Sequence, residues 1–202
     1  MHKQINRAIS HSFRHLLFST LFIGILFPQN KTNLEIFYSL TDSSVAQFVF
    51  FSKPPAKIKV EMNNGDVYSI FNNQLLGNLK AKGIDPVFEK NDSIPVFSYT
   101  IEKPLTQYTH IFRDGFLGPF LVNREISLKG NYFYSGSGKK EFSFIYTDIV
   151  KVDDIKNLEN ISFKFTNETL PPEPFFTGIF EPVVALGTAA AAVILFFTVR
   201  SR

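Results

Sequence analysis

The 202-residue chain contains no cysteine and no tryptophan, and it has only four histidines. Without cysteine it has no disulfide framework, no thiolate metal site, no cysteine nucleophile and no lipid-modified N-terminal cysteine. An exported domain of this chain must therefore be held together by its core alone. His110 is the one histidine beyond the N-terminal segment, which excludes a three-histidine zinc site.

A large excess of charge is also missing. The formal net charge is +3, and it comes largely from the two ends of the chain. The middle is nearly balanced and lacks the basic footprint of a nucleic-acid-binding protein, so we expect no nucleic-acid partner.

The most informative stretch that is present lies near the C-terminus. The run from Pro182 to Val199 holds 18 residues without a charge. As a helix it spans about 27 Å, close to the hydrocarbon thickness of a bilayer. A buried core helix is the alternative, but the run is apolar on every side and offers no polar stripe. We predict a transmembrane helix over 182–199, with Pro182 at its first helical position.

The flanks of this run predict its orientation. Arg200 and Arg202 follow it, whereas Glu168, Glu173 and Glu181 precede it. Positive charge is retained on the cytoplasmic side, so we expect the tail 200–202 to be cytoplasmic. Within the helix, Gly187 and Ala191 are four residues apart, a spacing that permits close packing with another helix and makes them candidate packing residues.

The N-terminus has the pattern of a signal peptide. Residues 1–15 contain Lys3, Arg7 and Arg14 and no acid, and an apolar run of 12 residues follows over 16–27. We predict a signal peptide over 1–29, either cleaved near residue 29 or retained as an anchor; a buried helix is the structural alternative. These three basic residues, together with Arg200 and Arg202, predict that residues 30–180 lie outside the cytoplasm.

The region between the two apolar ends alternates between helical and strand periodicity. Asn33 is a candidate N-cap for the first helix. Asp66 is a candidate cap for the second, although Asn64–Gly65 could instead close a hairpin there. We predict helices over 34–50, 67–82 and 153–160, and strands over 57–62, 86–89, 94–102, 105–112, 121–134 and 141–150.

This order of elements predicts an α+β fold: a single domain over 30–168 with a mostly antiparallel sheet, covered on one face by two helices. A stiff proline-rich linker over 169–181 leads to the membrane helix. The order of a strand, a helix and long antiparallel strands before an anchor resembles small envelope domains such as the lipopolysaccharide-assembly lipoprotein and the TolB N-terminal domain. The resemblance is in element order alone, so it implies no activity and no site residue.

Two short stretches have the residue types of a catalytic or phosphate-binding site. Residues 136–139 (Gly-Ser-Gly-Lys) lack the spacing of a phosphate-binding loop and suit the tip of a hairpin over 135–140. His110, Arg113 and Asp114 could serve acid–base chemistry. A strand end followed by an Asp114–Gly115 turn is the preferred interpretation, because no nucleophile elbow accompanies the histidine.

Two further sets of polar residues have the residue types found in calcium-binding or glycosylation sites. Asp148, Asp153 and Asp154 lack the spacing of a calcium loop, and the last two suit a helix cap. Four Asn-x-Ser/Thr triplets would accept glycans only in a eukaryotic secretory route; they begin at Asn30, Asn91, Asn160 and Asn167.

The sequence therefore predicts no catalytic, cofactor-binding or metal-binding residue. It favours a single-pass, membrane-anchored envelope protein whose exported domain acts through protein contacts and not as an enzyme. Two alternatives stay open. The 24 phenylalanines could line an apolar cavity that carries a lipid or another apolar ligand, or His110 could belong to a membrane-anchored hydrolase.

Overall fold

The computed structural model describes residues 30–88, 93–115, 118–173 and 175–200. Along the chain these residues form helix α1 (Asn33–Ser52), strand β1 (Lys57–Met62), helix α2 (Ile70–Ala81), strands β2 (Asp85–Val87), β3 (Val96–Arg113), β4 (Phe120–Tyr134) and β5 (Gly138–Lys151), a 3₁₀ turn (Val152–Asp154), helix α3 (Ile155–Leu158), a second 3₁₀ turn (Lys164–Thr166) and helix α4 (Phe175–Arg200). The predicted signal segment, with Lys3, Arg7 and Arg14, lies outside the described residues.

The strands form one sheet in the order β2-β1-β3-β4-β5, which confirms the predicted α+β class. The long strands β3, β4 and β5 pair antiparallel. The short strand β1 pairs parallel with β2 on one side and with β3 on the other. Residues 122, 126, 128, 132 and 134 of β4 are buried, whereas the residues between them are mostly less buried. Helices α1 and α2 contribute to the same core cluster as these residues, so they cover one face of the sheet.

Phenylalanine fills this core by ring-on-ring packing. Phe37 of α1 meets Phe71 of α2 edge-on at 6.2 Å, and both contact Phe165, at 5.2 and 5.3 Å. Phe48 of α1 packs on Phe97 of β3 at 4.1 Å. Apart from the partly buried Phe165, these rings are fully buried, each contributing about 1.5–3 kcal/mol relative to an exposed side chain. The high phenylalanine content is thus used in packing the two helices onto the sheet.

Helix α1 begins one residue earlier than predicted, because Thr32 is its N-cap. The Thr32 hydroxyl accepts from the Glu35 amide, and the Glu35 carboxylate accepts from the Thr32 amide at 2.7 Å, which completes a capping box. The predicted cap, Asn33, is instead fully buried at the first helical position. Its side chain bonds to Tyr108 and Arg124 of the sheet and to the Thr166 carbonyl.

Helix α2 confirms the helical prediction over 67–82 but begins at Ile70. Residues before it form a turn, in which the Asp66 carbonyl accepts from the Ser69 amide and hydroxyl, so Asp66 is not the cap. Ser69 holds the cap position without a side-chain bond. Gly83, with φ +78, follows the end of the helix, where a left-handed backbone costs glycine little.

Strand β3 is continuous where two strands were predicted. Register shifts near Glu102 and His110 mark bulges that keep the pairing with β4 intact. Pro104 lies inside β3. Proline cannot donate to the ladder, so it is not expected at a position that has strand partners on both sides. β1 pairs only with residues 96–99 of β3, so beyond Tyr99 that side of β3 has no strand partner among the described residues.

Helix α4 begins at Phe175, so it includes part of the linker predicted over 169–181. Pro182 therefore lies inside the helix and not at its first position, which corrects that prediction. A proline at this position lacks the N–H that would bond the carbonyl of residue 178. The window Pro182–Val199 has a mean hydropathy of 2.2 and none of it is buried, so by length and composition this helix could cross a membrane.

Candidate functional site

A buried arginine organises the end of the sheet where the domain begins and ends. Arg124 occupies a core-facing position of β4, between Val122 and Ile126, and its side chain is 0% exposed. Its guanidinium donates two parallel hydrogen bonds to Asp148 of β5, from Nε to Oδ1 at 2.8 Å and from Nη2 to Oδ2 at 2.5 Å. Asp148 lies directly opposite Arg124 in the ladder, so the pairing register itself delivers the two side chains to one another.

The third nitrogen of the guanidinium holds the start of the domain. Nη1 donates to the Lys31 carbonyl at 2.9 Å and to Asn33 Oδ1 at 2.7 Å. The Asn33 amide then donates to the Tyr108 hydroxyl at 2.9 Å and to the Thr166 carbonyl at 2.7 Å. Residues from the first and the last described part of the domain are therefore joined through one side chain, and Asn33 is the link between them.

The last segment is shaped for this contact by its own turns. The Thr166 hydroxyl donates towards the carbonyls of Asn160 and Phe163, and it accepts from the Asn160 amide at 3.0 Å. The Phe165 carbonyl accepts from Thr106 of β3 at 2.8 Å, while the Phe165 ring enters the core. The segment thus pins its backbone to β3 and presents the Thr166 carbonyl to Asn33. We call Asn33, Tyr108, Arg124, Asp148 and Thr166 the arginine network.

Burial controls the electrostatics here. It raises the pKa of Tyr108 to about 12, although the hydrogen bond from Asn33 acts in the opposite direction. Burial, and then the charge of Asp148, raise the pKa of Tyr146, whose hydroxyl lies 3.4 Å from that carboxylate. A charge taken out of water is costly unless it is paired and hydrogen-bonded. Arg124 meets both conditions, so this arrangement suits a structural clamp.

An open cleft borders the arginine network at Arg124 and Asp148. The cleft measures about 610 Å³, and the side chains lining it come from β3, β4 and β5: Thr109, Asn123, Arg124, Glu125, Thr147, Asp148 and Ile149. A second pocket, of about 340 Å³, lies beside the β4–β5 turn and is lined by Ser93–Val96 and Tyr134–Gly136. Core phenylalanines line neither of these two pockets, so neither has the apolar lining expected of a lipid carrier.

The candidate residues His110 and 136–139 lie in a strand bulge and in a hairpin turn. His110 is exposed in a bulge with φ 54, stacks on Phe112 at 5.7 Å and lines neither pocket. Residues 136–139 lie at the β4–β5 turn, where Gly138 has φ +77, as the hairpin interpretation expected. In the described part of the chain, no group of three acidic or histidine side chains could hold a metal ion.

The acidic set separates into two parts. Asp148 belongs to the arginine network, where both of its carboxylate oxygens accept from Arg124. Asp154 holds the N-cap position of α3, but neither it nor Asp153 makes a side-chain cap bond to α3 or to the 3₁₀ turn before it.

Two of the four triplet asparagines, Asn160 and Asn167, form hydrogen bonds within the last segment of the domain. Asn167 donates to the carbonyls of Asn160 and Phe163, at 3.0 Å each, and the Asn160 side chain accepts from the Ser162 amide. Asn91 lies outside the described residues.

Other sequence-based predictions are left as they were. Gly187 lies on α4, where an added Cβ would meet no atom within 4 Å, and its packing with Ala191 against another helix stays a prediction. The same holds for the topology residues: the side chain of Arg200 and all of Arg202 lie outside the described part of the structure.

The network could have been found from the alternation of two strands. Arg124 interrupts the core-facing series Val122, Ile126 and Leu128 of β4, and Asp148 follows Phe144 and Tyr146 on β5. A charge at a core-facing position needs a partner of opposite sign. Charges of opposite sign at core-facing positions of two neighbouring strands therefore indicate a buried ion pair. Asn33 gave none, because its role depends on the distant residues that it joins.

Comparisons with known proteins give only remote likeness. No family model matches the chain, and no curated protein matches it. The structure of the rare lipoprotein B from Shewanella oneidensis is similar over 68% of this chain and 98% of that chain, with a TM-score of 0.34 and 9% identity. A minor lipoprotein from Acinetobacter baumannii is similar over 48% of this chain and 67% of that one, with a TM-score of 0.32 and 11% identity.

Proposed function

We propose that the chain is a single-pass, membrane-anchored protein of the bacterial cell envelope, whose extracytoplasmic α+β domain acts as a non-enzymatic interaction or assembly module. One observation carries the anchoring: the window Pro182–Val199 is uncharged and wholly unburied. Its large side chains are open, with Leu186 71% and Phe197 68% exposed. A helix that exposes apolar side chains on all sides needs an apolar environment, and about 27 Å of it fits a bilayer core.

The length and composition of this helix support the assignment. In the described part of the chain, Pro182–Val199 is the one window long and apolar enough to span a membrane. The basic residues Arg200 and Arg202 would hold the far end in the cytoplasm. The acidic residues before the helix would then lie on the same outer side as the domain.

The arginine network supports a domain with both ends near the membrane. It holds Lys31 and Thr166 to the same guanidinium cluster, and only eight residues separate Thr166 from Phe175, where α4 begins. The nine Cα–Cα steps from Thr166 to Phe175 span at most about 32 Å when extended. The end of the domain that carries the network would therefore be the end tethered to α4.

The role in protein contacts is supported by the free face of the sheet. Helices cover one face, while Phe133, Ile145 and Ile149 are 46%, 60% and 55% exposed on the other. Arg124 and Asp148 of the arginine network are paired with one another and hold the domain together. His110 lines neither of the two described pockets. We therefore expect His110→Ala to complement a deletion strain under envelope stress. Complete loss of complementation by a normally folded variant would favour the hydrolase alternative.

The cysteine-free sequence permits a sharp test of topology. Ile161, 95% exposed in the domain, and Ser201, after the helix, are each replaced by cysteine in the full chain. A membrane-impermeant maleimide should label the Ile161→Cys variant in intact spheroplasts and the Ser201→Cys variant only after lysis. The unsubstituted chain is the control for background labelling. The reverse pattern would show that the domain is cytoplasmic.

Anchoring is tested separately. The full chain should remain in the membrane fraction after alkaline carbonate washing, because insertion of an uncharged helix does not depend on ion pairs. Deleting 182–202 should release the domain. Release of the intact chain by salt alone would exclude the anchor.

A further inference from the structure

The sheet leaves one long edge open. Among the described residues the strand order ends at β5, whose 14 residues pair with β4 on one side only. Along its outer side, every second residue presents an unpaired N–H and C=O. Such an edge is a template for pairing with another strand unless the sequence blocks it.

The other open edges of the sheet are blocked. β2 has three residues, one of which is Pro86. The free side of β3 carries Pro104 and two bulges, and the segment at Phe165 bonds to it through Thr106. Short strands, prolines, bulges and covering segments are the devices that prevent edge pairing.

β5 has none of these along its centre. Its pairing with β4 runs from Tyr134–Gly138 to Leu121–Lys151 without a register shift. The segment 142–150 contains no proline, glycine or lysine, and its only charge, Asp148, is paired with Arg124. Lysines are confined to its two ends. On the open face, Ile145 and Ile149 are more than half exposed.

We propose that β5 pairs antiparallel with β5 of a second copy of this chain, about a two-fold axis through Tyr146. In this register Glu141 lies directly opposite Lys151 of the second copy, and the pair occurs twice by symmetry. Both side chains are exposed, and no ion pair involving either is described within the chain. Ten residues of strand, about 33 Å, separate them, so they cannot pair with each other in one copy.

Charge selects this register over its neighbours. A shift by two residues in one direction places Lys139 opposite Lys151 of the second copy. A shift in the other direction places Lys151 opposite Ser143 and leaves Glu141 beyond the end of the partner strand, so the ion pair is lost. Opposite charges across a strand pair are favourable and like charges are not. A shift by one residue would place core-facing side chains beside open-face ones.

The chosen register also gathers apolar side chains. Ile145 lies opposite Thr147 of the second copy, and diagonal to its Ile145 and Ile149, so four isoleucines adjoin on the open face. Eleven paired residues, 141–151, extend the sheet along about 37 Å. The second copy is the occupant that these charges favour, because the edge carries both members of the complementary pair.

The inference rests on the proposed role in protein contacts but not on the side of the membrane, so its failure and a failure of the topology are separate results. The full chain is purified in detergent, and its mass is measured by light scattering. We expect a dimer. Glu141→Lys or Lys151→Glu alone should weaken it by at least about tenfold, because two pairs become repulsive. The double variant should restore it.

Two controls separate this edge from other contacts. Lys129→Glu reverses an exposed charge on the central strand β4 and should leave the dimer unchanged. In a second measurement, the Ile145→Cys/Thr147→Cys variant should form a disulfide-linked dimer on mild oxidation, whereas Lys129→Cys should not. The chain has no cysteine of its own to interfere.

Three outcomes would overturn the proposal. A monomeric chain at tens of micromolar would exclude the dimer. A dimer indifferent to both single reversals would place the contact elsewhere, in α4 or in residues 1–29. Failure of the double variant to recover, with normal folding by circular dichroism, would exclude the pairing of Glu141 with Lys151.

Discussion

Removing the carboxylate of Asp148 should destabilise the domain far more than an exposed ion pair would. The Asp148→Ala variant leaves the Arg124 guanidinium, 0% exposed, without its counter-charge and without two short hydrogen bonds. Breaking a buried ion pair by removing one partner costs about 3–5 kcal/mol. Asp148 itself is 21% exposed, so water can enter the vacated site, and we expect the lower end, about 3 kcal/mol.

Replacing the partner, Arg124, tests the same ion pair from its other side. Arg124→Met removes the buried charge but leaves the Lys31 carbonyl and Asn33 Oδ1 without their donor, at about 1–3 kcal/mol for such groups. We expect a loss of about 3 kcal/mol here too. In the double variant Arg124→Met/Asp148→Ala no unpaired charge remains, so the loss should be about 3–4 kcal/mol and not the sum of the two.

The assay is urea unfolding of the full chain in a non-ionic detergent. Tyrosine fluorescence and near-ultraviolet circular dichroism report on the domain, since the chain has no tryptophan. Lys129→Ala, a truncation of an exposed charge on the same strand, is the matched control and should change stability by less than about 0.5 kcal/mol. Additive single losses, or a loss below about 1 kcal/mol for Asp148→Ala, would refute the clamp.

Three further predictions follow from single contacts. The pKa of Tyr108 is raised from 10.0 to about 12, so between these pH values the folded chain keeps a proton that the unfolded chain loses. The stability contributed by the neutral Tyr108 hydroxyl is complete below pH 10 and declines towards pH 12. This decline should be absent from the pH–stability curve of Tyr108→Phe. Gly130→Ala should destabilise by about 1–3 kcal/mol, because its Cβ would lie 2.3 Å from the Thr100 carbonyl oxygen, whereas Gly77→Ala, which meets no atom, should stabilise α2 in the same denaturation assay. Thr32→Ala should lower the unfolding free energy by about 1 kcal/mol through loss of the capping box, and a change within error would show that Glu35 alone holds the helix start.

The sheet and both covering helices were predictable because their signals are local. Strand β1 matches its predicted bounds, and the alternation along β4 gave the buried face correctly. Bounds failed where two residues compete for one role. Thr32 and Asn33 are both cap formers, and the choice depended on Glu35, three residues after Thr32.

The continuity of β3 could not be predicted, because it depends on which strand lies beside it. Lys103–Pro104 predicts a break in any strand with two neighbours. The structure pairs β1 only as far as Tyr99, so the missing N–H of Pro104 costs no ladder bond on that side. The arginine network has the same limitation: Asn33 and Thr166 are 133 residues apart, and no local pattern relates them.

The position of the network explains why the domain contains a buried charge at Arg124. A hydrophobic core holds side chains without direction, but the network fixes the backbone of Lys31 and Thr166 at defined atoms of Arg124 and Asn33. These two carbonyls stand where the chain enters and leaves the domain. A chain without disulfides has few other means of joining its ends, and directional bonds to a buried guanidinium supply one. The segment that precedes the proposed anchor is thus tied to β3 through the Phe165 carbonyl, and to Arg124 of β4 by way of Asn33.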